Sequence, residues 1–211
     1  MTVNRPLPLG IRRLLRLLLL APAKLLGGFR IEGAARLPAH RRPMILVCNH
    51  AAWADSVYLI LALRPRFTIC GAKPPYFATA PRRALMAIAN ILPVDPADPV
   101  DGHEIFLADC RTLLAAGEIL LIYPEMGRNP AGLGEFRTWA AEAALANRAP
   151  LLPCYLHGTT RGHSGPPRLI VGEPMEPAGT AGELTRRLYH AVAALAPVPA
   201  PDLTAAGGEV P

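Results

Sequence analysis

Residues 44–71 read MILVCNHAAWADSVYLILALRPRFTICG, two short apolar runs that enclose a helical pattern. Residues 44–48 are typical of a buried strand, residues 56–63 predict a helix that ends before Pro65, and residues 67–71 predict a second strand. Strands that are joined through a helix can lie parallel in one sheet. This stretch therefore indicates a sheet of parallel strands covered by helices.

The same alternation continues along the chain. The apolar patterns predict further strands and helices, with strands at 91–94, 118–123, 151–156 and 168–171 and helices at 81–90, 103–116, 136–146 and 182–195. We therefore predict an α/β fold with a mostly parallel central sheet flanked by helices. Functional sites in such sheets lie beyond the carboxyl ends of the strands.

The chain has 211 residues and a net charge of +6, but its charge is uneven. Residues 1–42 contain nine Lys or Arg and one acid, Glu32. We predict a basic leader at 1–28, one globular domain at 29–196 and a disordered Pro/Ala/Gly-rich tail at 197–211.

Within the leader, residues 11–26 are rich in leucine and arginine, and the uninterrupted apolar run 17–23 is too short to span a bilayer. We expect an N-terminal amphipathic helix that lies on an anionic membrane. A helix packed on the domain's own core and a secretory signal are the alternatives. Leucines, rather than interleaved aromatic residues, accompany the charges, so nucleic acid is not an expected partner.

The four cysteines form neither a disulfide framework nor a zinc pattern. Cys48, Cys70, Cys110 and Cys154 are widely spaced, and no two of them form a C-x-x-C pair. Three of them lie in or beside apolar runs, as small buried side chains do. We predict no metal site.

His50 and Asp55 are the first pair of candidate catalytic residues. His50 follows the predicted strand 44–48, and the turn after it can bring Asp55 back beneath the imidazole. A neutral imidazole can take a proton from a hydroxyl, while a carboxylate on its other nitrogen fixes the tautomer. A surface histidine beside a helix-capping aspartate is the alternative interpretation.

A second block, residues 123–130, follows the predicted strand 118–123 and reads YPEMGRNP. Arg128 can grip a phosphate or a carboxylate through its planar fork of donors, and Glu125 can hold a hydroxyl or orient Arg128. A local Glu–Arg pair that stabilises a turn is the alternative.

Together, three blocks resemble the glycerophosphate/lysophospholipid acyltransferase family, which includes the bacterial-type 1-acylglycerol-3-phosphate acyltransferases. The blocks are Asn49-His50-x4-Asp55, Pro124-Glu125-x-x-Arg128 and residues 149–153, APLLP. The resemblance extends from about Phe29 to Val171.

The resemblance implies that His50 is the general base and that Asp55 orients it. The acceptor hydroxyl would attack the thioester of acyl-CoA or an acyl-carrier protein without an acyl-enzyme, and no cofactor is expected. The resemblance assigns acceptor binding to Glu125 and Arg128, together with Gly127 and Asn49. Pro150 and Pro153 belong to the block that shapes the site. The enzyme would act on a lipid acceptor at the membrane surface, peripheral on the cytoplasmic side of the inner membrane.

Two departures from the family pattern affect the expected acceptor. Pro96 stands where the family has a phosphate-binding arginine, which Arg82 or Arg83 could replace from the preceding helix. Met126-Gly127 stands where the family has Gly-Thr. A lyso-aminolipid or another hydroxylated lipid is therefore an alternative acceptor. A non-catalytic module that binds lipid or acyl carrier, and a thioesterase, are alternative functions.

Overall fold

The computed structural model describes residues 11, 14, 28–37, 43–63, 67–72, 74–95, 102–160 and 162–197. Both the membrane-binding segment expected at 11–26 and the tail expected at 197–211 lie almost wholly outside these residues, and Pro96 also lies outside them. Those expectations stay predictions.

Within the described residues, seven strands form one sheet. They are β1 (Arg30–Glu32), β2 (Met44–Cys48), β3 (Phe67–Ala72), β4 (Ile91–Pro93), β5 (Ile119–Ile122), β6 (Leu151–His157) and β7 (Arg168–Val171). Their order across the sheet is β1-β7-β6-β2-β5-β3-β4. Neighbouring strands are parallel except β6 and β7, which are antiparallel. The prediction of a mostly parallel sheet is confirmed.

Five α-helices are described: α1 (Asp55–Ala62), α2 (Ala80–Ile88), α3 (Gly102–Ala115), α4 (Trp139–Asn147) and α5 (Ala181–Ala193). Short 3-10 helices occupy Ala34–Arg36 and Pro74–Phe77. Among the described helices, none is both long and apolar enough to cross a bilayer.

The sheet separates two apolar cores because successive side chains of a strand point to opposite faces. On β2, Ile45 and Val47 face the core that is covered by α3, α4 and α5. Met44 and Leu46 face the other core, where Leu59 of α1 packs. All of β2 is buried, so its carboxyl end, where His50 follows, has a rigid support.

Among the described strands and α-helices, the structure differs from the sequence predictions by more than two residues in two places. Strand β1 was not predicted, because its three residues are too few to show a periodic pattern. The helix predicted from Phe136 begins at Trp139 instead. The backbone N–H of Arg137 donates to the carbonyl oxygen of Pro124 at 2.9 Å, which joins this segment to the loop after β5.

Candidate active site

The loops that follow β2 and β5 meet at the carboxyl edge of the sheet because these strands are parallel neighbours. The backbone N–H of His50 donates to Oε1 of Glu125 at 2.9 Å. In return, the backbone N–H of Asn129 donates to the carbonyl oxygen of His50 at 2.7 Å. The two sequence blocks therefore form one site, as their positions after predicted strands indicated.

His50 and Asp55 form a hydrogen-bonded dyad. Nδ1 of His50 lies 2.8 Å from Oδ2 of Asp55. The same oxygen accepts the backbone N–H groups of Ala51 at 2.7 Å and Ala52 at 2.8 Å. Asp55 is fully buried and is the first residue of α1, where the helix dipole favours a carboxylate. These contacts fix the Asp55 carboxylate beside Nδ1 of the imidazole.

The dyad leaves one imidazole nitrogen for chemistry. A carboxylate against Nδ1 favours the tautomer with the proton on that nitrogen, so Nε2 keeps its lone pair. The His50 side chain is 17% exposed, so it is accessible at the edge of the site while most of its surface is packed. An imidazole held in this way can accept a proton from a hydroxyl.

Tyr123 supports the imidazole from below and was missed in the sequence. Its ring stacks on the His50 ring with centroids 4.1 Å apart and an interplanar angle of 13°. Its hydroxyl lies 3.1 Å from Oγ of Ser56. Burial raises the pKa of Tyr123 well above its usual value, and the Ser56 contact opposes the shift. The position of Tyr123 directly after β5 is the signal that could have identified it.

Glu125 joins the two loops through backbone contacts. Besides the N–H of His50, its carboxylate accepts the N–H of Gly134 at 2.8 Å through Oε2. Burial raises the pKa of Glu125, while these hydrogen bonds oppose the rise. A Cβ on Gly134 would lie 2.7 Å from Oε2, so a larger residue here would displace the carboxylate of Glu125. The contacts indicate that Glu125 holds the site together.

Arg128 and Gly127 lie on the same loop. Arg128 is exposed, and its guanidinium makes no hydrogen bond or ion pair with another described residue. Its donors are thus available for an anionic group. Gly127 has an ordinary backbone conformation, whereas Met126 before it adopts the left-handed region with φ of 52°.

Asn49, which the family resemblance assigns to acceptor binding, is directed toward the neighbouring strand β6. It is buried, and its amide donates to the carbonyl oxygen of Leu156 at 3.1 Å. Its Oδ1 accepts the N–H of the same residue at 2.7 Å. The side chain joins the end of β2 to β6, and a contact between Asn49 and the acceptor stays a prediction.

The remaining candidate residues have varied positions. Arg82 and Arg83 are exposed on α2 and donate to backbone carbonyl oxygens of the preceding turn. Pro153 is buried in β6 beside Val47, and the carbonyl oxygen of Pro150 accepts the N–H of Ile45 at 2.9 Å. These two prolines build the sheet that supports His50.

Comparisons with known proteins assign this chain to a class. The sequence profile of the Acyltransferase family matches residues 28–157, and the chain belongs to this family. The matched segment contains His50, Asp55, Glu125 and Arg128. The expected enzyme class, an acyltransferase, is confirmed.

Individual relatives agree with this assignment. The chain is 27% identical over 159 residues to a 1-acyl-sn-glycerol-3-phosphate acyltransferase of Bacillus subtilis (strain 168), covering 74% of this chain and 77% of that protein. It is 31% identical over 116 residues to a protein of the same name from Cocos nucifera, covering 54% of this chain and 37% of the relative.

A solved structure shares the fold. The 1-acyl-sn-glycerophosphate (LPA) acyltransferase PlsC from Thermotoga maritima superposes with a TM-score of 0.66, covering 88% of this chain and 77% of that one. The sequence identity is 18%. The match therefore extends the similarity to the architecture of the sheet and helices.

Proposed function

We propose that this acyltransferase transfers a fatty acyl group from acyl-CoA or an acyl-carrier protein to a hydroxyl of a lysophospholipid. The observation that carries the proposal is the His50–Asp55 dyad at the carboxyl edge of the sheet, in which Nε2 has no partner among the described residues. Two relatives named as 1-acyl-sn-glycerol-3-phosphate acyltransferases support that acceptor class.

In the proposed reaction, Nε2 of His50 takes the proton of the acceptor hydroxyl as its oxygen attacks the thioester carbonyl carbon. The carbonyl electrons move to oxygen, giving a tetrahedral intermediate. When the intermediate collapses, the C–S bond breaks and the leaving thiolate takes the proton from the imidazolium. Asp55, with its negative charge 2.8 Å from Nδ1, stabilises the imidazolium in between.

Arg128 is the proposed contact for the acceptor's phosphate. Its guanidinium is exposed on the loop that Glu125 fastens to His50, so a bound phosphate would lie close to the dyad. Gly127 would lie beside the acceptor on the same loop. Met126, in place of the family's glycine, adds bulk there, so an acceptor with another head group, such as a lyso-aminolipid, is the alternative.

The proposed location is the cytoplasmic surface of the inner membrane. A water-soluble donor and a lipid acceptor meet at the bilayer surface, so a peripheral enzyme suits the reaction. The basic segment 11–26 is the proposed anchor, and its leucines and arginines are the supporting observation.

The test is thiol release from acyl-CoA and acyl-carrier protein, with lipid products resolved by mass. Lysophosphatidic acid and several other lysolipids serve as acceptors. We expect acceptor-dependent release that falls about 10²–10⁴-fold in His50→Ala. His190→Ala, at an exposed histidine of α5, is the matched control and should retain activity.

Other results would reject the proposal. Thiol release without an acylated lipid would indicate a thioesterase. Binding of lipid or carrier without turnover, unchanged in His50→Ala, would indicate a non-catalytic binding module. Transfer only to acceptors without phosphate would replace the proposed acceptor while keeping the chemistry.

A further inference from the structure

The segment that follows β3 has an exposed surface that is both apolar and basic. Pro74, Pro75 and Tyr76 of the 3-10 helix are exposed, and so are all residues from Ala80 to Leu85 at the start of α2. Leu85 is 54% exposed and lies beside the arginines of α2. Residues 74–94 contain no Asp or Glu, so no acid of this segment balances its arginines.

The two arginines of α2 lie against the same turn that exposes the aromatic ring. Arg82 donates to the carbonyl oxygen of Pro75 at 3.3 Å, next to Tyr76. Arg83 donates to the carbonyl oxygen of Phe77 at 3.1 Å. A guanidinium has five N–H donors, so each arginine keeps donors for an anionic partner.

This surface begins just after β3, at the same carboxyl edge of the sheet as the catalytic dyad. A Cβ on Gly71, near the end of β3, would lie 3.6 Å from the ring of Tyr123, which stacks on His50. Strand β3 lies two strands from β2 in the sheet, and both run in the same direction. Trp53, 66% exposed in the turn between His50 and Asp55, lies at the same edge.

We propose that Trp53, Tyr76, Arg82, Arg83 and Leu85 form a docking surface for the headgroup region of an anionic bilayer. Tyrosine and tryptophan favour the membrane–water interface, leucine gains from partial burial there, and arginines bind lipid phosphates. An acidic carrier protein would satisfy the arginines but would not need three exposed apolar side chains. The inference rests on the proposed lipid acceptor and adds a second membrane contact to the leader.

Docking here would bring the bilayer to the mouth of the catalytic cleft. The arginines are held on backbone carbonyl oxygens rather than on acids, so no ion pair with an acid of this segment must break when they meet phosphate. The folded domain would thus be oriented with the carboxyl edge of its sheet toward the lipid. The leader alone would tether the chain without fixing this orientation.

The first test places a polarity-sensitive dye on this surface of the full-length protein. The native cysteines are all buried and should react slowly, so Leu85→Cys can be labelled selectively. Ile105→Cys is the matched control, because Ile105 is 51% exposed on α3, at the other face of the sheet. On phosphatidylcholine vesicles that contain phosphatidylglycerol, we expect a blue shift of the dye at 85 and none at 105.

The second test removes the charges. Sedimentation with the same vesicles should weaken about fivefold for each arginine lost, so about 25-fold for Arg82→Gln with Arg83→Gln. Arg186→Gln with Arg187→Gln is the matched pair, two adjacent exposed arginines on α5. It should leave vesicle binding nearly unchanged.

Equal dye shifts at 85 and 105, or equal losses in both arginine pairs, would overturn the proposal. A dye at 85 that responds to acyl-carrier protein and not to vesicles would assign the surface to the donor instead. The vesicles contain no acceptor, so docking is measured without turnover. Failure of acyl transfer and failure of docking are therefore separate results.

Discussion

The backbone nitrogen of His50 lies 2.9 Å from Oε1 of Glu125, a residue 75 positions later in the chain. The other carboxylate oxygen of Glu125 accepts the N–H of Gly134 at 2.8 Å. A single acidic side chain therefore joins the loop that carries the base to the loop that carries Arg128. Glu125 accepts only from the backbone N–H groups of His50 and Gly134 in these two contacts. The imidazole of His50 therefore remains available to form the dyad with Asp55.

Glu125→Gln should lower both activity and stability. The amide group of glutamine can accept only one of the two N–H donors, and leaving the other unpaired costs about 1–3 kcal/mol. Urea unfolding measures the stability, and steady-state kinetics should show a larger change in kcat than in KM because the residue positions the base. Glu135→Gln, exposed on the same loop, is the control. A rise in KM alone, at unchanged stability, would contradict the positioning role.

Asp55→Asn should reduce kcat about 10²–10⁴-fold with little change in KM. An asparagine can present its NH₂ to Nδ1 of His50, which moves the ring proton to Nε2 and removes the lone pair that accepts the hydroxyl proton. Single-turnover kinetics with acyl-CoA measures the chemical step. Asp109→Asn, on α3, serves as the control. Near-native turnover in Asp55→Asn would remove Asp55 from the proposed mechanism.

Met126→Gly should stabilise the protein by about 1 kcal/mol, because a side chain in the left-handed region is strained and glycine is not. The midpoint of urea unfolding measures the change. Arg148→Gly is a matched substitution, since Arg148 has φ of 49° just after α4 and lies outside the site. If the Met126 variant were instead less stable, contacts of the methionine side chain would outweigh its strain.

Arg128→Ala should lower kcat/KM about 10–100-fold for a phosphate-bearing acceptor, the equivalent of one charge-assisted contact of about 1.5–3 kcal/mol. The effect should appear in the acceptor KM, and the free energy of unfolding should not change because the side chain is exposed and unpaired with other described residues. Arg137→Ala, exposed nearby, is the control. Equal losses in both variants would indicate a general effect of charge.

The sheet was predictable because its buried strands are unbroken apolar runs. Strands β2 and β5 are runs of five and four apolar residues. If these strands are parallel, His50 and Glu125, which follow them, must lie at the same carboxyl edge of the sheet. The short edge strand β1 was not predictable, since three residues carry no period. The start of α4 was also missed, because a tertiary hydrogen bond from Arg137 overrides the local helical pattern.

The sequence predicts where a residue lies in the fold better than it predicts what its side chain does. Asn49 is next to His50 in sequence, but successive side chains at the end of a strand point in opposite directions. The side chain of Asn49 therefore points toward β6, where its amide group hydrogen-bonds with the backbone of Leu156. The adjacent residue His50 faces the cleft. No spacing rule in one sequence separates these two neighbours, because the difference depends on which strand lies alongside.

Tyr123→Phe tests whether this residue supports the base by stacking or carries a proton. The phenylalanine keeps the ring 4.1 Å beneath His50 and removes only the hydroxyl bound to Ser56. Because the pKa of Tyr123 is raised well above its usual value by burial, its hydroxyl stays neutral at assay pH. We expect kcat and its pH profile to remain close to wild type.

The same raised pKa predicts how stability depends on pH. The pKa of Tyr123 is higher in the folded state than in the unfolded state, so its neutral hydroxyl contributes to the free energy of unfolding. That contribution is fully present below the unfolded pKa near 10, and it is lost as the pH rises through the folded-state pKa. The difference in free energy of unfolding between wild type and Tyr123→Phe should therefore be constant near neutral pH. In strong alkali, wild type should lose stability relative to Tyr123→Phe. Tyr123→Ala should cost about 3–5 kcal/mol and much of kcat, because the ring itself is lost. A changed pH profile of kcat in Tyr123→Phe would instead make the hydroxyl a participant in proton transfer.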